Sequence, residues 1–288
     1  MSPLTASPSR ILPGRAPLDV AAALHAPRSA TSPARVTEAL GDHARRVAHD
    51  LLTLVLPVTC AGCGTVDERW CPPCRAALAG PPWRCEERAG RLDALDGRPL
   101  LPVWTLADNT GPVRHAVVAW KDEGRTDLTR ALAAALGRAA GTVAPDVPGT
   151  RAGPLLVAAV PSTAAARRRR GGWLVDDVAH GAVTGLRSAG VDARRAPVLR
   201  RRGGRDQAGL GARARARNLD GQVHVARHAR ERLAGLDVLL VDDVLTTGAS
   251  VAASVAAVRA AGGRVVGCVT VASTPSPGPQ DRAAPPSA

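Results

Sequence analysis

The sequence contains no phenylalanine and no tyrosine, and its aromatic residues are five tryptophans. A hydrophobic core must therefore be assembled from alanine, valine and leucine. So few rings also count against an aromatic platform on which nucleic-acid bases would stack. Apolar residues still make up 45% of the 288 residues, which is ordinary for a globular protein of one or two domains.

Lysine is almost absent, and Lys121 is the only lysine among 38 basic residues. Coding bias in a GC-rich genome explains the general excess of arginine. A lysine retained against that bias favours a functional role, since its compact charge on a flexible stem differs from a guanidinium; chance is the alternative. The net charge of +13 suggests a polyanionic partner such as nucleic acid, or phosphate-rich substrates, although coding bias produces charge of the same sign.

Long apolar runs are missing, which argues against a transmembrane helix, and no charged-then-apolar signal peptide starts the chain. We expect a cytoplasmic protein with reduced cysteines and no membrane partner. Residues 1–36 are rich in proline, alanine, serine and arginine and are expected to be a disordered extension, as are residues 276–288. An apolar stripe from Val36 to Leu56 predicts a helix.

Four of the six cysteines form two closely spaced pairs, Cys60-Ala-Gly-Cys63 and Cys71-Pro-Pro-Cys74. Two such knuckles can place four thiolates tetrahedrally around Zn²⁺, with a structural role because no coordination position stays open. The alternatives are reduced structural thiols or a redox pair. Cys85 is expected to lie outside the site, and Cys268 to be a core residue. The predicted helix and this module together occupy residues 37–90.

The chain is organised around a predicted strand–loop–helix–strand unit near its carboxyl terminus. Val238 to Val241 is a short apolar run typical of a parallel strand buried on both faces. Asp242 and Asp243 stand where that strand is expected to end. Thr246-Thr247-Gly248 and a helix from Ala249 to Ala261 follow, and then a second strand from Arg264 to Ala272. Ligands bind at the carboxyl ends of such strands.

The loop between strand and helix has the chemistry of a phosphate site. Backbone N–H groups and hydroxyls from Thr246 to Ser250 lie at a helix N-terminus, and Gly248 would let an anion approach the backbone closely. Asp242 and Asp243 would repel that anion, so they are expected to face ribose hydroxyls or hydrated Mg²⁺. The alternative is an acid pair at a strand end followed by an ordinary Thr-Gly turn.

The remaining pattern predicts an α/β domain over residues 100–275, in which helices flank a parallel sheet. Residues 84–101 are polar and are interpreted as a linker or as a loop of the cysteine module. Pro161 and Ser162 follow a buried strand, and the run Arg167 to Arg170 with two glycines suits an anion-gripping loop or a solvated surface. The predicted strands are Val103–Leu106, Leu155–Val160 and a short edge strand at Pro197–Leu199; the predicted helices are Pro112–Trp120, Leu128–Gly141 and Leu174–Ala189.

The stretch Val241-Asp-Asp-Val-Leu-Thr-Thr-Gly-Ala-Ser250 closely resembles the phosphoribosyl-pyrophosphate (PRPP) loop of type I phosphoribosyltransferases. The resemblance implies that Thr246, Thr247, Gly248, Ala249 and Ser250 hold the 5′-phosphate. It implies that Asp242 and Asp243 face the ribose hydroxyls and stabilise positive charge at the anomeric carbon. Pro161 and Ser162 match a pyrophosphate loop by position, and Lys121 and Arg170 are further PRPP-binding candidates.

More of the chain, from about residue 40 to 275, looks like the ComF family of competence-associated phosphoribosyltransferase-like proteins. The features that carry this resemblance are the paired cysteines, a lysine before a glycine, the PRPP loop, and a Gln207, Leu210, Arg215, Asn218 box. The resemblance implies a type I phosphoribosyltransferase-like fold preceded by a small four-cysteine zinc module, a PRPP ligand carried with Mg²⁺, transfer to an unknown acceptor and a link to DNA uptake.

Three departures place the flexible loop and the base-side pocket in doubt: the stretch Arg170-Gly-Gly-Trp-Leu-Val-Asp176, the single Cys85 and Val223. The rival hypothesis is therefore a non-catalytic adaptor of the competence machinery, with single-stranded DNA and a competence helicase as partners. Its DNA would lie along arginines near the cysteine module and the residue 200–217 segment, and binding would weaken steeply with salt.

Overall fold

The computed structural model describes residues 58–93, 98–147, 153–162, 174–201 and 222–276, which all belong to one compact unit. The expected helix ending at Leu56, the arginine run from Arg167 to Arg170 and the Gln207 to Asn218 box lie outside the described residues. The expected domain boundaries, at residues 37–90 and 100–275, stay a prediction. None of the helices in these ranges is long and apolar enough to cross a membrane.

Eight strands and six helices make up the described ranges, joined by single 3₁₀ turns. The strands are β1 (Trp83–Arg84), β2 (Val103–Asp108), β3 (Leu155–Ala159), β4 (Ala193–Arg195), β5 (Leu199–Arg201), β6 (Val223–Val225), β7 (Asp237–Leu245) and β8 (Arg264–Ser273). The helices are α1 (Pro72–Ala76), α2 (Gly111–Asp122), α3 (Thr129–Val143), α4 (Leu174–Ser188), α5 (Arg230–Leu233) and α6 (Ala249–Ala260).

Six strands form the main sheet in the order β1-β2-β8-β7-β3-β4. Only β1 is antiparallel, so the sheet is almost wholly parallel. The central strand β7 pairs with β3 on one side, where Val157 lies opposite Leu239, and with β8 on the other, where Leu240 lies opposite Cys268. This arrangement confirms the expected α/β class.

Both faces of the sheet are buried, which explains the unbroken apolar runs in the strands. Leu239 and Val241 point into one core with α2, α3, α4 and the cysteine module. Val238 and Leu240 point into the second core with α6 and the β5–β6 strand pair. Valine, leucine and alanine fill both cores, as the lack of phenylalanine and tyrosine requires.

Helices α3 and α4 pack backbone against backbone at glycine positions. A Cβ atom on Gly181 would lie 1.9 Å from the carbonyl oxygen of Ala133, and one on Gly185 would lie 1.8 Å from that of Gly137. No side chain can occupy these positions unless the helices move apart. The close contact brings both helices flat against the sheet face that carries Leu239.

The chain leaves β3 and β7 in opposite directions along the sheet. After β3 it passes through α4 to the outer strand β4, whereas after β7 it passes through α6 to β8 on the other side. Helices α4 and α6 therefore cover opposite faces. A crevice opens between the carboxyl ends of two strands whose connections diverge in this way, and it is the usual ligand site of an open α/β sheet.

Three expectations about the elements were wrong in detail. The acid pair does not follow the strand but lies within it, because β7 continues to Leu245. The predicted edge strand at Pro197–Leu199 is β5, which pairs with β6 outside the main sheet, and β4 forms the edge instead. The segment of residues 84–101, expected to be a linker or a loop of the cysteine module, begins in β1 and includes a 3₁₀ turn, Glu86–Arg88, in which Glu86 is buried.

Replacing Gly181 with alanine should destabilise the protein, because the new methyl group has to push α3 and α4 apart. Overpacking of this kind costs about 1–3 kcal/mol, and the free energy of unfolding from a urea titration measures it. Gly80→Ala is the matched control, since its Cβ would meet no atom within 4 Å. Equal stability of the two variants would contradict the close helix contact.

Candidate functional site

The acid pair lies at the crevice between β3 and β7. The backbone N–H of Val160 donates to the carbonyl of Val241 at 2.8 Å, which places Pro161 and Ser162 beside the part of β7 that carries the acid pair. The structure thus brings together the acid pair and the Val-Pro-Ser turn, as the sequence predicts. A cavity of only about 20 Å³ lies beside this turn, and Asp176 and Arg200 also line it.

Asp243 is buried, with 5% of its surface exposed, and forms an ion pair with Lys121. The Lys121 ammonium lies 2.7 Å from Oδ2 of Asp243, and the N–H of Val244 donates to Oδ1 at 2.7 Å. Lys121 comes from the last turn of α2, which crosses the sheet face on this side. The single lysine therefore compensates a buried carboxylate at the expected site.

Asp242 is held in an environment that disfavours its negative charge. Burial and the neighbouring carboxylate of Asp243 raise the pKa of Asp242 well above its ordinary value, and the nearby ammonium of Lys121 offsets only part of that rise. One of its oxygens, Oδ1, accepts the N–H of Asp243 at 2.9 Å. The fold thus disfavours ionisation of Asp242.

The loop after β7 has the geometry of an anion site. Thr246 and Thr247 are exposed, and α6 begins at Ala249 after Gly248, whose φ of +77° is left-handed. The N-cap residue of α6, Gly248, has no side chain to cap the helix, and the N–H of Ala249 donates only a long hydrogen bond, of 3.5 Å, to the hydroxyl of Thr247. Uncapped N–H groups at the positive end of a helix dipole bind phosphate well.

Gly248 is required for a reason that the sequence does not reveal. A Cβ atom at this position would lie 2.7 Å from Cγ of Leu92 and 3.0 Å from Cβ of Ala89. The backbone N–H of Arg91 also donates to the carbonyl of Thr247 at 3.2 Å. The segment of residues 85–93, expected to be a linker, therefore forms one wall of the loop.

Arg88 and Arg91 are functional candidates that sequence reasoning missed. They line an open cleft of about 440 Å³ together with Thr246 and Thr247. Arg88 is anchored by an ion pair to Asp108 and lies over the ring of Trp83. The sequence feature that could have identified them is the pair of apolar residues Ala89 and Leu92 within a polar stretch. Apolar residues in such a stretch indicate that the segment packs against another part of the protein.

The four paired cysteines meet in one cluster, in which all four Sγ atoms of Cys60, Cys63, Cys71 and Cys74 lie within 4.8 Å of one another. The Sγ atom of Cys71 is 3.5 Å from that of Cys60 and 3.6 Å from that of Cys63. A tetrahedral zinc ion with Zn–S bonds of about 2.3 Å requires sulfur–sulfur distances of about 3.8 Å. The cluster therefore fits a zinc ion.

Hydrogen bonds around the cluster favour thiolates. The N–H groups of Gly62 and Cys71 donate to Sγ of Cys60 at 3.4 and 3.3 Å. Burial opposes ionisation of Cys60, but these backbone donors lower its pKa to about 6. Burial raises the pKa of Cys74 far above its ordinary value, so a cation is needed to hold all four residues as thiolates.

The cysteine cluster is joined to the helix that carries Lys121. His115 in α2 contacts the carbonyl of Gly62 through Nδ1 at 3.0 Å. Arg125, just beyond α2, donates to the carbonyls of Thr59 and Arg69 at 3.1 and 2.8 Å. Cys85 and Cys268 are buried in the other core, outside the cluster, as expected.

Residues 200–285 match the family model of the phosphoribosyl transferase domain. The match covers less than a third of the chain and includes β7, the acid pair, the loop and α6. A search of curated proteins returns no match. The chain thus has a mixed α/β fold, a segment that matches the phosphoribosyl transferase domain, and a four-cysteine cluster that can hold a metal ion.

The zinc-binding cluster can be tested by metal analysis of purified protein. We expect about one zinc ion per chain, and loss of most of it in Cys63→Ala together with lower thermal stability, because three thiolates bind less tightly. Cys85→Ala is the control, since Cys85 is buried but lies outside the cluster. Full zinc content in Cys63→Ala would contradict this assignment.

Asp242→Asn should raise thermal stability at neutral pH, because it removes a carboxyl group whose ionisation the fold disfavours. At a pH well below the ordinary pKa of 3.8, both the folded and the unfolded wild type bind the proton, so wild type and variant should differ little. As pH rises, the unfolded chain ionises first and the wild type loses stability up to the raised folded pKa. Melting temperatures between pH 5 and pH 8 measure the widening gap.

Asp192→Asn serves as the control for that experiment, because Asp192 is exposed and pairs only with exposed Arg194. Its melting temperature should follow the wild type across the range. A melting temperature of Asp242→Asn below that of the wild type at pH 8 would show that the ionised carboxylate stabilises the fold.

Proposed function

We propose that this chain binds PRPP with Mg²⁺ in the crevice between β3 and β7 and transfers the phosphoribosyl group to an acceptor of unknown identity. The observation that carries the proposal is the acid pair on β7 followed at once by an uncapped helix N-terminus. The match of residues 200–285 to the phosphoribosyl transferase domain supports a reaction of this kind.

The 5′-phosphate would bind to the loop from Thr246 to Ser250. The N–H groups at the start of α6 and the exposed hydroxyls of Thr246 and Thr247 supply its hydrogen bonds. Pro161 and Ser162 would lie against the pyrophosphate, because they occupy the end of the neighbouring strand. Arg170 is proposed to close over the same group, by analogy with the resembled family.

Asp242 and Asp243 would face the ribose. In the reaction the bond from C1 to the pyrophosphate oxygen breaks, the acceptor forms a bond to C1 and loses its proton, and pyrophosphate leaves with Mg²⁺. Positive charge develops on the ribose in between, and ionised carboxylates stabilise that charge more strongly than they stabilise the substrate. Mg²⁺ supplies neutralisation of the pyrophosphate charge.

Lys121 would stabilise negative charge on the acid pair rather than act on the acceptor. Its ammonium lies 2.7 Å from Asp243 and lowers the cost of a second negative charge on Asp242. An arginine has a larger planar head that would not replace a compact ammonium in this position. The one position at which the chain uses lysine is thus the one that contacts the acid pair.

We also propose that the protein is ComF-like, with a link to DNA uptake or processing. The support is the combination of a four-cysteine cluster and a phosphoribosyl transferase domain in one compact unit. The non-catalytic adaptor with single-stranded DNA and a helicase as partners is the second candidate function, and the excess of positive charge favours it.

Calorimetric titration of the zinc-loaded protein with PRPP and Mg²⁺ tests the first proposal. We expect saturable binding that weakens by at least about tenfold in Asp243→Asn, a loss of about 1.4 kcal/mol. The variant keeps the oxygen that accepts the N–H of Val244, and its zinc content and circular dichroism should match the wild type. Asp192→Asn controls for the loss of one carboxylate.

Absence of PRPP binding by the wild-type protein would refute the proposed ligand. Equal binding by wild type and Asp243→Asn would show that the ligand binds away from the acid pair. If PRPP binds without turnover on any base or other nucleophile offered, while single-stranded DNA binds with strong salt dependence, the adaptor function is favoured.

A further inference from the structure

A second cleft, separate from the acid pair, lies between the cysteine module and helix α3. It has a volume of about 440 Å³. Trp70, Arg75 and Leu78 form the wall on the module side, and Arg130, Ala134 and Arg138 form the wall on α3. None of these residues takes part in the crevice between β3 and β7.

The cleft carries positive charge that the surrounding residues do not neutralise. Its one acidic residue, Asp127, is bound by the guanidinium of Arg125 through two hydrogen bonds of 2.9 and 3.0 Å. Arg75 and Arg130 form no ion pair within the described residues, and Arg138 donates only to the carbonyl of Leu78, at 3.3 Å. Three guanidinium groups thus border a cleft whose single carboxylate is already paired.

Helix geometry places two of these arginines on the same wall. Arg130, Ala134 and Arg138 are spaced by four residues and so follow one face of α3. The small side chain of Ala134 between them leaves the space open, and Ala135 and Leu78 add apolar surface. The cleft therefore combines a basic rim with a partly apolar wall, the composition of a small-molecule site.

Trp70 gives a second, independent indication of a ligand. Its side chain lines the cleft and is only 7% exposed, yet its indole Nε1 has no hydrogen-bond partner among the described residues. Buried polar groups are normally paired, and Nε1 itself has almost no exposed surface, so an acceptor bound in the cleft reaches it only when the indole ring turns toward the cleft. An anion supplies that acceptor.

We propose that this cleft binds a phosphate-bearing anion. Guanidinium groups bind phosphate oxygens through paired hydrogen bonds, and the indole N–H would supply a further donor. The volume exceeds that of one phosphate group and admits a ligand the size of a nucleotide. The phosphate belongs either to a small phosphorylated molecule or to a nucleic-acid strand that crosses the cleft.

The experiment compares two double variants of the zinc-loaded full chain that lose the same charge. Arg75→Ala/Arg130→Ala removes the cleft arginines, and Arg114→Ala/Arg259→Ala removes two exposed arginines that do not line the cleft. Inorganic pyrophosphate without Mg²⁺ and a short single-stranded oligothymidylate are titrated into each. We expect at least one of these probes to bind about tenfold more weakly to the cleft variant than to the control variant.

The two probes separate the sources of the phosphate. If pyrophosphate binds more weakly to the cleft variant and displaces the oligonucleotide from the control variant, the ligand is a small phosphorylated molecule. If only the oligonucleotide binds more weakly to the cleft variant, the phosphate belongs to a nucleic-acid strand. Equal affinities of the two double variants for both probes would overturn the proposal. Both variants keep the acid pair and the loop, so pyrophosphate bound in the crevice contributes equally to the two titrations, and a difference between them reports only the cleft.

Trp70→Phe tests the indole N–H, because it keeps an aromatic ring and removes the donor together with part of the ring. We expect weaker binding of the same probe, by about threefold, and lower stability of the free protein, because the smaller ring leaves a cavity at this buried position. Unchanged affinity for both probes would overturn the assignment of Trp70 to the ligand site.

Discussion

The structure depends on one strand that must be buried on both faces. Strand β7 lies between two parallel neighbours, and Leu239 and Leu240 point to opposite cores. Parallel neighbours require crossover connections, so helices have to cover each face. Because the connections after β3 and β7 diverge, the same constraint that shields the strand also opens a crevice at its carboxyl end.

The acid pair near that end brings two neighbouring carboxylates into the sheet, where the fold disfavours ionisation of Asp242. Lys121 balances Asp243, and the helix that carries Lys121 is held to the cysteine cluster by His115 and Arg125. Loss of the cluster would therefore make the position of Lys121 less well fixed, in addition to destabilising the local loop. The cysteine module thus acts as part of the scaffold of the crevice.

Much of the fold followed from local patterns. Apolar runs identified β2, β3, β7 and β8, and helical periodicity identified α2, α3, α4 and α6 within a few residues of their ends. Strand β5 was misplaced and β4 was not predicted, because three-residue strands are too short to carry a pattern. The acids were expected after β7 and not within it, since hydrogen bonding to the neighbouring strand decides where a strand ends and leaves no trace in hydropathy.

The sequence by itself determined the chemical inventory: four thiols at zinc spacing, an acid pair, a Thr-Thr-Gly loop and a single lysine. These are local features, and their spacing alone limits what they can bind. Only the tertiary structure decided that Lys121 contacts Asp243, that Leu92 packs against Gly248, and that arginines of α3 meet Trp70 across a cleft. Such contacts join residues far apart in the chain, and they arise from the packing of helices on the sheet, which no local pattern encodes.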